Sequence, residues 1–122
     1  MLPSNVQAVT LNGIPPTVNS IYFNAKAGGR RKTKAYKNWI KDASWQLAAQ
    51  HPDMVRGEVE FSLFCKRPDN KRRDIDNLFK ASLDLLVSNN LIEDDSKVVK
   101  ISGEWTKHPE IDGTLILWGP HR

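Results

Sequence analysis

The sequence has 122 residues, of which 39% are hydrophobic and 26% are charged, so it is long enough to close one hydrophobic core and too short to need a second. The formal net charge is +4, which suits a polyanionic partner only where the positive charges cluster. A single cysteine, Cys65, excludes an intramolecular disulfide and the class of secreted disulfide scaffolds. We predict a single domain over residues 1–122.

Neither a secretion signal nor a membrane span is visible in the sequence. The first residues lack a charged segment followed by an apolar stretch, and no apolar run approaches the ~18 residues of a spanning helix. The three histidines, His51, His108 and His121, lack the spacing of zinc ligands. We expect a cytoplasmic protein with no membrane partner and ordinary surface histidines.

The first part of the chain predicts a strand and then an irregular basic segment. Residues 6–11 are apolar-rich and end at an Asn-Gly pair, which is typical of a strand that closes in a turn. Pro15 and Pro16 disfavour a helix, so residues 15–24 should be extended or irregular. Residues 26–34 contain a Gly-Gly pair and three successive cations, which indicates a flexible loop that is either solvated or in contact with nucleic acid.

A first helix is predicted from Thr33, the N-cap, to a stop at His51 and Pro52. Apolar side chains at spacings of three and four give it one buried stripe, which includes Trp39. We therefore interpret Trp39 and Trp45 as packing residues and not as a platform on which bases stack.

The second part predicts a strand, a helix and two further strands. Residues 58–65 alternate between apolar and polar side chains, the clearest strand pattern in the chain. A helix follows over residues 74–88, then strands over 98–105 and 114–118, whose short connection favours a hairpin. The order β-α-β-α-β-β predicts an α/β fold of the α+β type, with a mixed sheet and two main helices.

Residues 71–80 concentrate the charged side chains: three cations precede Asp74 and Asp76, and Lys80 follows one turn later. Asp74 alone is explained as a helix cap, whereas Asp76 has no structural need beyond a pair with Lys80 worth ~0.3–0.5 kcal/mol. An Asp-x-Asp where a strand, a loop and a helix meet can instead present both carboxylates to a hard cation such as Mg²⁺.

A third carboxylate is offered by the turn at Asp94 and Asp95, which precedes a strand expected to return beside Cys65. A solvated acidic turn is the alternative. Metal ions held by carboxylates generate hydroxide and stabilise charge on a phosphate, and Lys80 would neutralise that charge or assist departure of the 3′ oxygen. The cations that would bind flanking phosphates are Arg30, Arg31, Lys32, Lys71, Arg72 and Arg73.

With these residues in place, the chain resembles the RusA family of Holliday junction resolvases, the crossover junction endodeoxyribonucleases. Three blocks carry the resemblance: Arg72-Arg73-Asp74-Ile75-Asp76-Asn77-Leu78-Xaa-Lys80, the run Glu93-Asp94-Asp95-Ser96-Lys97-Val98-Val99, and Pro15-Pro16-Thr17-Val18-Asn19. Val18 stands where the family often has a first asparagine, and Asn19 is the second.

The resemblance implies a homodimeric, Mg²⁺-dependent endonuclease, with Mn²⁺ as an alternative metal. Such an enzyme cuts four-way DNA junctions by symmetric nicks in two strands of like polarity, in recombination and repair. The resemblance implies Asp74, Asp76 and Asp95 as metal-binding acids and Lys80 as the catalytic lysine. The family's essential acid matches the second aspartate of the pair at 94 and 95. Asn19 and Asn77 complete the predicted DNA-binding set.

Two other functions are compatible with the residues. One is a non-catalytic nucleic-acid-binding module, in which the acids are caps and solvated turns. The other is a nuclease that acts on other branched or flapped DNA.

Overall fold

The computed structural model describes residues 5–121. The strands are Gln7–Leu11 (β1), Tyr22–Asn24 (β2), Arg30–Lys32 (β3), Val59–Cys65 (β4), Val98–Trp105 (β5) and Thr114–Pro120 (β6). The helices are Lys34–Gln50 (α1) and Phe79–Ser88 (α2), with short 3₁₀ turns at Val18–Ser20, Ile75–Leu78 and Asp95–Lys97. The predicted α+β class, with two helices and a mixed sheet, is confirmed.

Four strands form one mixed sheet in the order β1-β6-β4-β5. β4 runs parallel to β5 and antiparallel to β6, and β1 runs antiparallel to β6. A parallel pair needs a crossover longer than a hairpin turn, and α2 lies within the crossover between β4 and β5. As predicted, β5 returns beside Cys65, whose register partner is Trp105.

The predicted hairpin between the last two strands is wrong, because β5 and β6 lie on opposite sides of β4. Cys65 at the end of β4 has Trp105 of β5 and Thr114 of β6 as its register partners. Residues 106–113 therefore cross one strand, a distance of about 10 Å for strands ~4.8 Å apart. The central position suits β4, because its alternate residues are all buried and a central strand has both edges paired.

The basic segment at residues 26–34, predicted as a flexible loop, belongs instead to a hairpin of β2 and β3. Gly28 and Gly29 make the turn at φ angles of 92° and 78°, a region that residues with a Cβ rarely adopt. The N–H of Ala25 donates to the carbonyl of Gly29 at 3.0 Å. The hairpin therefore places Arg30–Lys32 in an ordered strand.

α1 begins and ends where the sequence predicts. The hydroxyl of Thr33 accepts a hydrogen bond from the N–H of Tyr36 at 3.2 Å, and His51 ends the helix in the left-handed conformation, with a φ of 52°. Trp39 packs against the core as predicted. Trp45 is 71% exposed, so its predicted packing role is wrong; it lies about 120° around the helix from Trp39.

The second helix begins later than predicted. Residues 75–78 form a 3₁₀ turn, and α2 begins at Phe79. The Phe79 ring lies over β5 at Gly103, where an added Cβ would be 2.6 Å from the ring carbon Cζ. The missing side chain at Gly103 lets the ring pack on the strand, which positions the preceding turn and Asp76 within it.

The main core lies between the sheet and both helices. Its largest fully buried side chains include Trp118, Phe61, Leu63, Leu85 and Ile116. A smaller cluster contains Ile21 before the hairpin, Tyr36 of α1 and Ala81 of α2, so it joins the hairpin region to the start of α2. Within residues 5–121, neither helix is long and apolar enough to cross a membrane.

Candidate active site

The acidic motif after β4 lies beside the Pro-Pro segment. Arg72, Asp74 and Asn77 line one wall of a cleft of about 190 Å³. Ile14 and Thr17 from the N-terminal part of the chain also line it. Two of the sequence blocks that are distant in the chain therefore meet at one cleft.

The two aspartates of the motif are accessible to a ligand. Asp74 occupies the N-cap position of the 3₁₀ turn, but its carboxylate makes no capping hydrogen bond. The explanation of Asp74 as a cap is therefore wrong. The side chains of Asp74 and Asp76 are both exposed, so both carboxylates can take other partners.

Arg73 braces the loop that leads to these aspartates. Its guanidinium donates to the carboxylate of Asp69 from Nε at 3.0 Å and from Nη2 at 2.7 Å. Asp69 also accepts from the backbone N–H of Lys71 at 3.0 Å. The hydrogen bonds from Arg73 lower the pKa of Asp69 to about 2, so the pair is intact at neutral pH. The DNA contact of Arg73 remains a prediction. The Arg73 side chain already has Asp69 as a partner.

The two aspartates before β5 have different surroundings. Asp94 accepts hydrogen bonds from the backbone N–H of Ser96 at 3.0 Å and from the Ser96 hydroxyl, and these bonds lower the pKa of Asp94. It therefore caps the 3₁₀ turn. Asp95 instead has a carboxylate oxygen 3.5 Å from Nζ of Lys80. Asp94 is thus explained by a structural role, and Asp95 remains the predicted ligand.

Lys80 connects the two acidic blocks. Its Nζ lies 3.0 Å from Asp84 and 3.5 Å from Asp95. The predicted partner, Asp76, is not an ion-pair partner of Lys80 in the part of the chain that the structure describes. Lys80 therefore connects the first turn of α2 to the acidic turn before β5.

Asp84 is the centre of a hydrogen-bond network that sequence reasoning missed. Its Oδ2 accepts from the hydroxyls of Tyr36 at 2.7 Å and Tyr22 at 3.0 Å, while Oδ1 faces Lys80. Burial opposes ionisation of Asp84, but the hydrogen bonds from Tyr36, Lys80 and Tyr22 outweigh it and lower the pKa of Asp84. The hydrogen bond to Asp84 in turn raises the pKa of Lys80. The sequence signal for Asp84 was its spacing of four residues from Lys80.

The basic hairpin lies against the same network. The guanidinium of Arg30 is 4.7 Å from the ring centre of Tyr22, and Nζ of Lys32 is 5.8 Å from that of Tyr36. Both distances are within the range of cation–π contacts. Since both tyrosines donate to the carboxylate that holds Lys80, the hairpin cations and Lys80 belong to one packed unit.

Four further predicted DNA contacts are exposed: Asn19, Arg31, Lys71 and Arg72. Asn19 lies in the 3₁₀ turn before the hairpin, Arg31 in β3, and the other two in the loop braced by Arg73. Across residues 5–121, none of the three cations has an ion-pair partner. Their charges are therefore available to a ligand.

The three predicted metal ligands have the right chemistry for a hard cation. Asp74, Asp76 and Asp95 are exposed carboxylates, and Mg²⁺ prefers oxygen donors. Among the described residues, however, no three histidine, cysteine or acidic side chains lie close enough together to hold a metal ion. The three carboxylates therefore suit Mg²⁺ chemically. That they come together around one ion remains a prediction.

A hydrolase that cleaves phosphodiesters needs carboxylates to hold a metal ion and cations to bind phosphates. This chain has exposed carboxylates, a lysine and several cations of that kind. The sequence model of the family described as Endodeoxyribonuclease RusA matches residues 13–114. That span contains every predicted site residue, from Asn19 to Asp95, and the chain belongs to the RusA family. Nucleases of this family are metal-dependent.

Individual relatives agree with the family match. A protein of Aquifex aeolicus (strain VF5) named crossover junction endodeoxyribonuclease RusA is 26% identical over 92 residues, which cover 75% of this chain and 73% of the relative. Proteins of the same name from Escherichia coli (strain K12) and Shigella sonnei (strain Ss046) are 32% identical over 101 residues, 78% of each chain. The similarity therefore extends over most of the fold.

Proposed function

We propose that this chain is a structure-selective endonuclease that resolves four-way (Holliday) DNA junctions by paired symmetric nicks, in DNA recombination and repair in the cytoplasm. The observation that carries the proposal is the contact of Lys80 with Asp95, which joins the lysine of the first sequence block to the acidic turn. The names of the relatives support a crossover junction as the substrate.

Asp74, Asp76 and Asp95 would hold Mg²⁺, with Mn²⁺ as an alternative. A bound ion would activate a water molecule and stabilise negative charge on the phosphate. Lys80, oriented by Asp84, contributes positive charge at the scissile phosphate or at the departing 3′ oxygen.

The DNA strands on either side of the cut would be held by polar and cationic side chains around the acids. These residues are Asn19, Arg30, Arg31, Lys32, Lys71, Arg72, Arg73 and Asn77. Contacts to phosphates give affinity and register without reading bases. Selectivity for a junction then comes from the shape of the branched DNA.

The wild-type protein is expected to cut an end-labelled four-way junction in the presence of Mg²⁺ or Mn²⁺. Removal of the metal with EDTA should stop cleavage and leave binding intact, because the phosphate contacts are made by the protein. Cleavage is followed on denaturing gels and binding by fluorescence anisotropy.

Flapped DNA and linear duplex of the same sequence are the matched substrates. Faster cutting of the flap than of the junction would favour the nuclease on other branched DNA. Binding without cutting under every metal and salt condition would support the non-catalytic binding module instead.

Two matched nicks in a pseudo-symmetric junction suit a two-fold symmetric enzyme, so we propose a homodimer. The mass in solution, measured by light scattering after gel filtration, is expected to be twice the 13.8 kDa of one chain. A monomeric mass at the concentrations that support paired nicking would contradict this stoichiometry.

Asp84→Asn is expected to lower the cleavage rate of bound junction by about 10- to 100-fold, the usual effect of losing a group that orients an active-site residue. The amide keeps the size of the side chain but removes the charge that holds Lys80. The junction dissociation constant should change little, since Asp84 is a positioning residue and does not touch DNA. Single-turnover kinetics at saturating enzyme separate the two quantities.

Asp42→Asn on α1 is the control for this variant, because Asp42 is exposed and, within residues 5–121, its carboxylate bonds only to Gln46 on the same helix. Asp84→Glu, which restores the charge, should recover part of the rate. An Asp84→Asn rate equal to that of the Asp42→Asn control would show that Lys80 does not depend on this carboxylate.

A further inference from the structure

A second basic cleft lies where the parallel strands β4 and β5 end. Its volume is about 380 Å³, and the residues that line it include Lys66, Arg67, Trp105, Lys107 and His108. No described lining residue is acidic. None of these side chains belongs to the phosphate-binding set of the proposed active site.

Two cationic side chains of this cleft, Arg67 and Lys66, are held in place. The guanidinium of Arg67 lies 4.8 Å from the ring centre of Trp105, and a stacked guanidinium keeps its edge N–H groups free for an anion. Lys66 is occupied by Asp112, with Nζ 3.3 Å from the carboxylate. Arg67 and Lys107 are exposed and, within residues 5–121, have no carboxylate partner.

His108 adds a donor to the same cleft. Its Nδ1 accepts a hydrogen bond from the backbone N–H of Glu110 at 3.2 Å, so the proton of the neutral ring is on Nε2. The backbone N–H of His108 donates to the hydroxyl of Thr106 at 3.1 Å, which fixes the turn. Cationic side chains and an imidazole N–H donor around one cavity are the kinds of group that bind a phosphodiester.

One braced segment joins this cleft to the cleft that Asp74 lines. Residues 67–74 run from Arg67 to Asp74, and the Arg73–Asp69 pair holds the segment. Seven residues span at most ~25 Å when fully extended. At 3.4 Å of helix axis per step of one strand, that distance corresponds to about seven nucleotides.

We propose that this cleft binds the phosphate backbone of the DNA arm next to the cut, within about seven nucleotides of it. Arg67 and Lys107 are the phosphate ligands, and Trp105 orients Arg67. The assignment of the arm rests on the proposed junction substrate. The proposal that the cleft binds phosphates does not depend on that substrate.

The double variant Arg67→Ala/Lys107→Ala tests the proposal. Loss of two phosphate contacts should reduce the slope of log affinity against log salt by about 2, with equal weakening across arm sequences. Affinity is measured by fluorescence anisotropy on a four-way junction without divalent metal, so that no strand is cut. The cleavage rate of fully bound junction should stay at the wild-type value.

Lys37→Ala/Lys41→Ala is the matched control, because it removes the same charge from exposed positions of α1. It should leave the salt slope nearly unchanged. A second arm of the experiment replaces phosphates near the cut with neutral methylphosphonates. Substitutions at the phosphates that this cleft binds, within the seven-nucleotide span, should weaken binding by the wild type more than binding by the double variant.

An unchanged salt slope in the Arg67/Lys107 variant, or an equal change in the lysine control, would overturn the proposal. Wild type that binds junctions but never cuts them would contradict the proposed endonuclease and leave this binding site standing. If the wild type cuts junctions and the double variant binds them as tightly as the wild type, the endonuclease stands and this binding site is refuted. Weakening that ignores the position of the methylphosphonates would also refute the assigned arm.

Discussion

Asp76→Asn should lower the single-turnover rate of junction cleavage by at least about 100-fold, because outer-shell changes alone cost 10- to 100-fold. Asp76 is exposed and lies in the 3₁₀ turn fixed on β5 by Phe79 and Gly103. The amide preserves the shape of the side chain but weakens its hold on a divalent cation. Junction binding should be equal to or tighter than that of the wild type, since a negative charge near phosphate has been removed.

Asp53→Asn is the control for Asp76→Asn, because it neutralises another exposed carboxylate whose described contact is made by its backbone N–H. Calorimetric titration with Mn²⁺ gives a readout independent of cleavage, and the Asp76→Asn protein should bind the ion more weakly than the control. Loss of junction binding together with a lower unfolding midpoint would mean that Asp76 is structural.

The neighbouring variants Asp94→Ala and Asp95→Ala should have opposite effects. Asp95→Ala is expected to reduce cleavage by at least about 100-fold with little change in stability, because its pair with Lys80 is exposed and such pairs contribute little. Asp94→Ala removes the cap on the turn, so it should lower the thermal midpoint by a few degrees and leave cleavage by the folded protein intact.

Each of these variants is the control for the other, since both remove one carboxylate from the same turn. Thermal unfolding followed by circular dichroism and cleavage at a temperature well below the midpoint separate the two effects. If Asp94→Ala loses cleavage and Asp95→Ala keeps it, the predicted choice of ligand is reversed.

Local elements could be predicted from the sequence because their signals are local. The strict alternation of residues 58–65 identified β4, and Thr33 identified the start of α1. Pairing between strands has no such signal, since the period of a strand does not identify its neighbour. A short connection therefore suggested a β5–β6 hairpin, although β4 separates the two strands.

The candidate site could be predicted in part for the same reason. Its acids and Lys80 lie in two compact sequence blocks, whereas the hydroxyls that bond to Asp84 come from Tyr36 and Tyr22, which are 48 and 62 residues away. Such partners are brought together by packing of the hairpin on α1 and α2. Likewise, the sequence placed Gly103 on a strand but could not predict that the Phe79 ring packs against that glycine.

The position of β6 has a consequence for synthesis of the protein. β6 is the last strand of the described chain, yet it lies between β1 and β4 and is the strand that connects β1 to the rest of the sheet. Because a ribosome delivers the chain from its N-terminus, the sheet cannot close until β6 has emerged. A nascent chain that still lacks β6 carries all the acids and Lys80 without the scaffold that holds them, so incomplete chains should pose no nuclease hazard to the cell's DNA.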